Sequence, residues 1–276
     1  MNLFDKLKHI DRRIIFVLIA LSVLIPILIP IRLKIHVSQP VQSLYDEVDR
    51  LPPGSNILMA FDYGPSTMPE VHPMALALLR HAFSKDLKVI AVALWPEGAS
   101  LAQDVFGVVA EDEFHKAYGV DYVNLGFKAG GIVVIQALGT SISAIFPTDH
   151  TGTPLETLPI MEKVANLDDI GLIVDLSAGD PGIRHWVMIA QARYQKKVGG
   201  GCTAVSAPAF YPYLQTGQLV GLLGGLVGAA EYETLVKHPD SATAGMSSQA
   251  LSHAVIILFI LIGNITYFIE RRRAKK

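Results

Sequence analysis

The sequence predicts an α/β protein: a doubly wound, mostly parallel Rossmann- or flavodoxin-like domain, flanked by N- and C-terminal transmembrane helices. Three observations point there. Short β-branched apolar runs alternate with helix-like segments, the pattern of βαβ units. Two uncharged stretches of 18 positions, 14–31 and 251–268, lie near the two ends of the sequence. The chain is 51% hydrophobic but only 17% charged, with a mean hydropathy of +0.39, whereas soluble domains carry about a quarter of their residues as charges.

The first stretch, IIFVLIALSVLIPILIPI, would span about 27 Å as a helix at 1.5 Å per residue. It exceeds the apolar core of a signal peptide and runs straight into Arg32 and Lys34 with no small-residue cleavage site. It therefore reads as an uncleaved anchor. Residues 39–53 read as a helix and linker. Residues 57–61 are a strand closed by Asp62, and 72–84 a helix with Pro73 in its first turn. KVIAVALW, 88–95, is a buried strand, and 101–115 a helix. Residues 121–125 form a short strand. Residues 131–138 are ambiguous between strand and helix, and the Gly130–Gly131 pair favours a helix.

Thr153-Pro154-Leu155-Glu156 has the spacing of a capping box with proline at the first helical position, so a helix is expected there. Residues 170–175 form a strand, and Asp180-Pro181 repeats the cap-and-proline signature for a helix to about Tyr194. Residues 202–205 are expected as the last strand. From about 214 to 236 a glycine-lined helix is expected. Gly217, Gly221 and Gly225 recur every four residues and would form one face for close helix packing or a subunit contact. Residues 241–248, SATAGMSS, read as a connector into the second span, where Asn264 is expected to bond a neighbouring helix.

The net charge of −2 conceals an uneven distribution. Segment 1–13 carries +2, 32–250 carries −8 and 270–276 carries +4. Cations flanking spans stay in the cytoplasm. The expected order is a cytoplasmic flank 1–13, a span 14–31, an extracytoplasmic domain 32–250, a span 251–268 and a basic cytoplasmic tail 269–276. An acidic outer domain excludes nucleic acid as a partner bound through overall basicity. The lone Cys202 excludes an intrachain disulfide framework.

In open parallel sheets ligands bind beyond the carboxyl ends of the strands. That rule selects Asp62, Ser66 and Thr67 after the first strand, Glu97 after the second, Lys128 after the third, and Asp175, Ser177 and Asp180 after the fourth. Asp62 and Asp175 are candidate acid/base carboxylates, with turn capping as the alternative. His150, beside Asp149, is a candidate base. Cys202 is a candidate nucleophile, with a small buried hydrophobe as the alternative. No GxGxxG, GxxxxGK[ST], HExxH or CxxC occurs, and adjacent Asp149 and His150 have no further ligand at metal spacing. Neither a metal nor a cofactor is expected.

The expected function is a membrane-anchored component of a membrane assembly, its outer domain acting as scaffold or ligand sensor. Its partners would be the lipid bilayer and a second copy or another membrane protein. The alternatives are an anchored hydrolase or transferase using the rim carboxylates, and a transport or channel subunit.

Overall fold

The computed structural model describes residues 11–29 and 35–273. The chain divides into two units, residues 35–242 and residues 1–34 with 243–276.

The larger unit is a six-stranded sheet in the order β3-β2-β1-β4-β5-β6, with every neighbouring pair parallel. Its strands are β1 Asn56–Asp62, β2 Lys88–Ala93, β3 Tyr122–Phe127, β4 Leu172–Ser177, β5 Val198–Cys202 and β6 Leu222–Gly224. Strand order reverses between β1 and β4, the topology of doubly wound dinucleotide-type folds. The expected α/β class is thus the observed one. The strands are buried on both faces, as a parallel sheet between helices must be.

The helices of this unit are, after an N-terminal α1 (Arg12–Leu28) in the other unit, α2 (Gln39–Asp49), α3 (Met68–Ser84), α4 (Gly98–Val105), α5 (Ile132–Leu138), α6 (Ile142–Ile145), α7 (Ile183–Trp186), α8 (Tyr211–Gln215) and α9 (Gly225–Leu235). Two continue as π-helix: α4 through Phe106–Glu113 and α7 through Val187–Gln191.

Four local expectations give way. At 153–156 there is only a 3₁₀ turn, Leu155–Thr157, because Asp149 takes the local donors: its Oδ1 accepts the N–H of Thr151 and Thr153 at 2.8 and 2.9 Å. The Asp180–Pro181 peptide is cis and the helix begins at Ile183, whose N–H donates to Ser177 Oγ at 3.3 Å. The N-cap position is held by Gly182, not by Asp180. The fifth strand lies four residues upstream of its expected place, over Val198–Cys202. Glycine is a poor strand former, but here Gly199–Gly201 let helices close on both faces; a Cβ at Gly200 would sit 2.6 Å from Ile183 Cδ1.

The expected glycine-lined helix is the fourth. Gly217 ends α8 at φ +72°, Gly221 leads into β6, and Gly225 starts α9 at φ +61°. The three share no helical face. Gly221 is nonetheless a close approach, since a Cβ there would lie 2.5 Å from Leu44 N. The apolar residues around it pack inside the domain, with Leu219, Leu222, Leu223, Ala229 and Ala230 all buried.

In the second unit, α10 runs over Ser241–Arg273, so the expected connector 241–248 is the start of a 33-residue helix. Among the described residues one helix is long and apolar enough to cross a membrane, over Ser241–Ile269 with mean hydropathy 2.0. α1 has 17 residues, and residues 30–31 of the expected first span lie outside the described residues. The cations at 6, 8, 32, 34, 275 and 276 also lie outside them. Among the described residues, serine hydrogen bonds join α1 to α10. Ser22 Oγ lies 3.0 Å from Ser252 Oγ, and Ser248 Oγ donates to Val23 O at 3.2 Å. Asn264 is exposed and donates to Ile260 O of its own helix at 3.0 Å.

Candidate functional site

Parallel pairing aligns Ala60 with Asp175 and Asp62 with Ser177, and Ser177 in turn with Cys202. Residues paired in register share a face, as do residues two apart on one strand. Asp62, Asp175, Ser177 and Cys202 therefore meet on one face of the sheet, at the switch in strand order. Ile183 and Trp186 of α7 cover that face. All four side chains are buried, Asp62 and Asp175 completely.

Asp62 Oδ1 accepts the N–H of Leu94 at 2.6 Å, and Oδ2 lies 3.4 Å from Trp186 Nε1. Burial pushes its pKa up to about 7, against the lowering effect of the bond from Leu94. Asp175 is raised well above the usual carboxylate range, first by burial and then by the charge of Asp62. Its hydrogen-bonding neighbours are Asp62 and Ser177, the latter acting to lower its pKa. Two carboxylates cannot bond each other, but a carboxyl and a carboxylate can, so a single proton held between them satisfies both groups. Cys202 is pushed up to about 12 by burial, then by the charges of Asp175 and Glu70. It packs as a small hydrophobe, and as a thiol it is no nucleophile.

The carboxylates were expected on an open rim; they lie beneath a closed one. Trp186 is fully buried beside them. Trp95 Nε1 donates to Pro181 O at 2.9 Å, pinning the loop after β4, and a Cβ on Gly179 would touch the Trp95 ring at 3.2 Å. At this part of the rim lies a cavity of 200 Å³ bounded by Ser177, Asp180, Arg184, Ser206 and Phe210.

The other candidates do not converge on the pair. Ser66 and Glu97 are exposed, and Thr67 Oγ1 donates back to Gly64 O. Lys128 Nζ stands 5.4 Å above the Phe146 ring. Asp180 is 73% exposed, 3.6 Å from His185 Nδ1. His150 is exposed, its Nδ1 3.2 Å from Asn124 O and 3.3 Å from Tyr118 Oη, while Asp149 is occupied by Tyr118 and its own turn. Adjacent in sequence, His150 and Asp149 share Tyr118 as a partner. Among the described residues no three His, Cys, Asp or Glu side chains cluster as metal ligands.

A dinucleotide places its pyrophosphate at the N-terminus of the helix after β1. Here that helix, α3, begins one turn earlier than its apolar pattern suggests, and Glu70 stands in its first turn. Glu70 Oε2 accepts the N–H of Ala204 at 2.8 Å. A carboxylate at this position opposes a second anion. Comparison with known proteins finds no matching family model, curated protein or solved structure. The residues must speak for the function by themselves.

Sequence reasoning missed Trp95, Trp186 and Glu70. Pro69 followed by Glu70 was the available signal for the true helix start. Nothing local marks the two tryptophans as covers, because they reach the site from different loops and helices.

Proposed function

We propose that the chain is a membrane-anchored component of a membrane assembly, with its doubly wound domain outside the cytoplasm acting as a scaffold. The observation that carries this reading is the closed switch point. Where such folds usually admit a ligand, two tryptophans and the loop 178–182 cover a fully buried carboxyl pair. The neighbouring helix N-terminus already holds Glu70.

Anchoring by two spans is part of the proposal. It rests on the apolar α10, on the serine contacts between α1 and α10, and on exposed apolar side chains along α1, such as Phe16 and Leu28 at 68% and 77% exposure. The basic residues outside both spans favour N-in, C-in orientation. The partner is a second copy or another membrane protein.

A second reading, an anchored hydrolase or transferase, draws on the carboxyl pair itself. A carboxyl near pKa 7 beside a like group is equipped for acid/base work. Replacing Asp62→Asn and Asp175→Asn in the native gene separates the two. A scaffold keeps its phenotype in both variants at normal protein levels; a phenotype lost at normal levels overturns the scaffold in favour of the enzyme.

A further inference from the structure

A carboxylate remote from the closed pair has an oxygen to spare. Glu231 on α9 is only 6% exposed. Its Oε2 accepts two bonds from Ser38, one from the backbone N–H at 2.9 Å and one from the hydroxyl. Among the described residues its Oε1 takes none, and no Lys, Arg or His pairs with Glu231. An ionised carboxylate offers about four acceptor sites, so Oε1 has room for a further donor.

Glu231 lines a cavity of 310 Å³ between the start of α2, the loop after β5 and the β6–α9 junction. That volume is at the lower end of small-molecule sites, roughly 300–1,000 Å³. Its walls are otherwise mainly apolar, with Val41, Leu222 and Val227 among them, and Tyr211 stands half-exposed at the edge. Gly224 and Gly228 also line it. At Gly228 even a Cβ would come within 2.9 Å of the Leu223 backbone, so the bare backbone there is required by packing. The cavity thus combines one carboxylate with aliphatic side chains.

An ammonium is the complement of that arrangement: three donors and a positive charge for the free oxygen. We infer that this cavity binds a small primary amine with an aliphatic body, its ammonium on Glu231 Oε1 and its chain against Val41, Leu222 and Val227. The site stands apart from the carboxyl pair, and the inference does not depend on the assembly role.

The test is calorimetric titration of the detergent-solubilised full chain with n-butylamine, n-butanol and butyrate, each corrected against protein-free micelles. Butylamine is expected to bind at least tenfold more tightly than butanol, and butyrate not at all. Glu231→Gln retains an oxygen for Ser38 but lacks the charge. It is expected to lower butylamine affinity tenfold or more and leave butanol affinity unchanged. Val227→Trp, on an exposed helix position, is expected to abolish binding of both at an unchanged Tm. Equal affinity for butylamine and butanol overturns the inference, as does absent butylamine binding, or wild-type binding by either folded variant.

Discussion

At Asp62 and Asp175 the fold holds two carboxyl groups where neither reaches water. Burial raises both folded-state pKa values, so the folded protein keeps protons that the unfolded chain gives up. Their contribution to stability is therefore most favourable at acid pH and falls as pH rises from the ordinary carboxylate range, about 4, through about 7. Asp175→Asn removes the like charge. Its Tm relative to wild type is expected to rise between pH 5 and pH 8, by about 2–4 °C per kcal/mol for a domain of this size. A constant difference across that range would refute the shared proton. Asp62→Asn behaves differently: its oxygen can still accept from Leu94, but its amide faces Trp186 Nε1, donor against donor. A loss of about 1–2 kcal/mol is expected in chemical denaturation at pH 7. Position at the ends of apolar strands was enough to bring Asp62 and Asp175 together from the sequence. Their burial was not legible, because it depends on Trp186 and Trp95 arriving from distant segments.

Among the elements, strands and helices with regular apolar patterns stand close to their expected places. The misplaced ones are those in which glycine, proline or a distant side chain decides. β5 is a strand because its neighbours on both sides need it, despite three successive glycines. Gly221 is required by the backbone of α2, a contact invisible to a four-residue spacing rule. Gly221→Ala is expected to cost about 2–4 kcal/mol, since the Cβ would press on Leu44 N and Pro40 O, both backbone atoms. Gly107→Ala meets nothing within 4 Å and is expected to be neutral or slightly stabilising. Equal effects in urea melts would contradict this packing. Arg80 ties the end of α3 to two other elements: it is 6% exposed and reaches Glu113 and Asp240 at 2.7 Å each. Because both carboxylates are partly exposed, Arg80→Ala is expected to cost about 2–3 kcal/mol, below the full penalty of a dry ion pair.

For the whole molecule, the near-neutral net charge of −2 arises from basic ends and an acidic middle. That contrast carries the proposed orientation and can be tested with Cys202 left in place, since it is buried. Glu97→Cys, on an exposed loop, should react with a membrane-impermeant maleimide on intact spheroplasts, and Arg272→Cys only after lysis. The reverse pattern would invert the topology. The α/β class could be read from alternating patterns alone, whereas the closure of its switch point needed the folded chain. The scaffold role is tested most directly by native mass spectrometry of the full chain, released from its own membranes in mild detergent. Expected are species at multiples of 29.9 kDa, or with a second subunit bound, unchanged by Asp62→Asn. A lone 29.9 kDa chain under those conditions would contradict it.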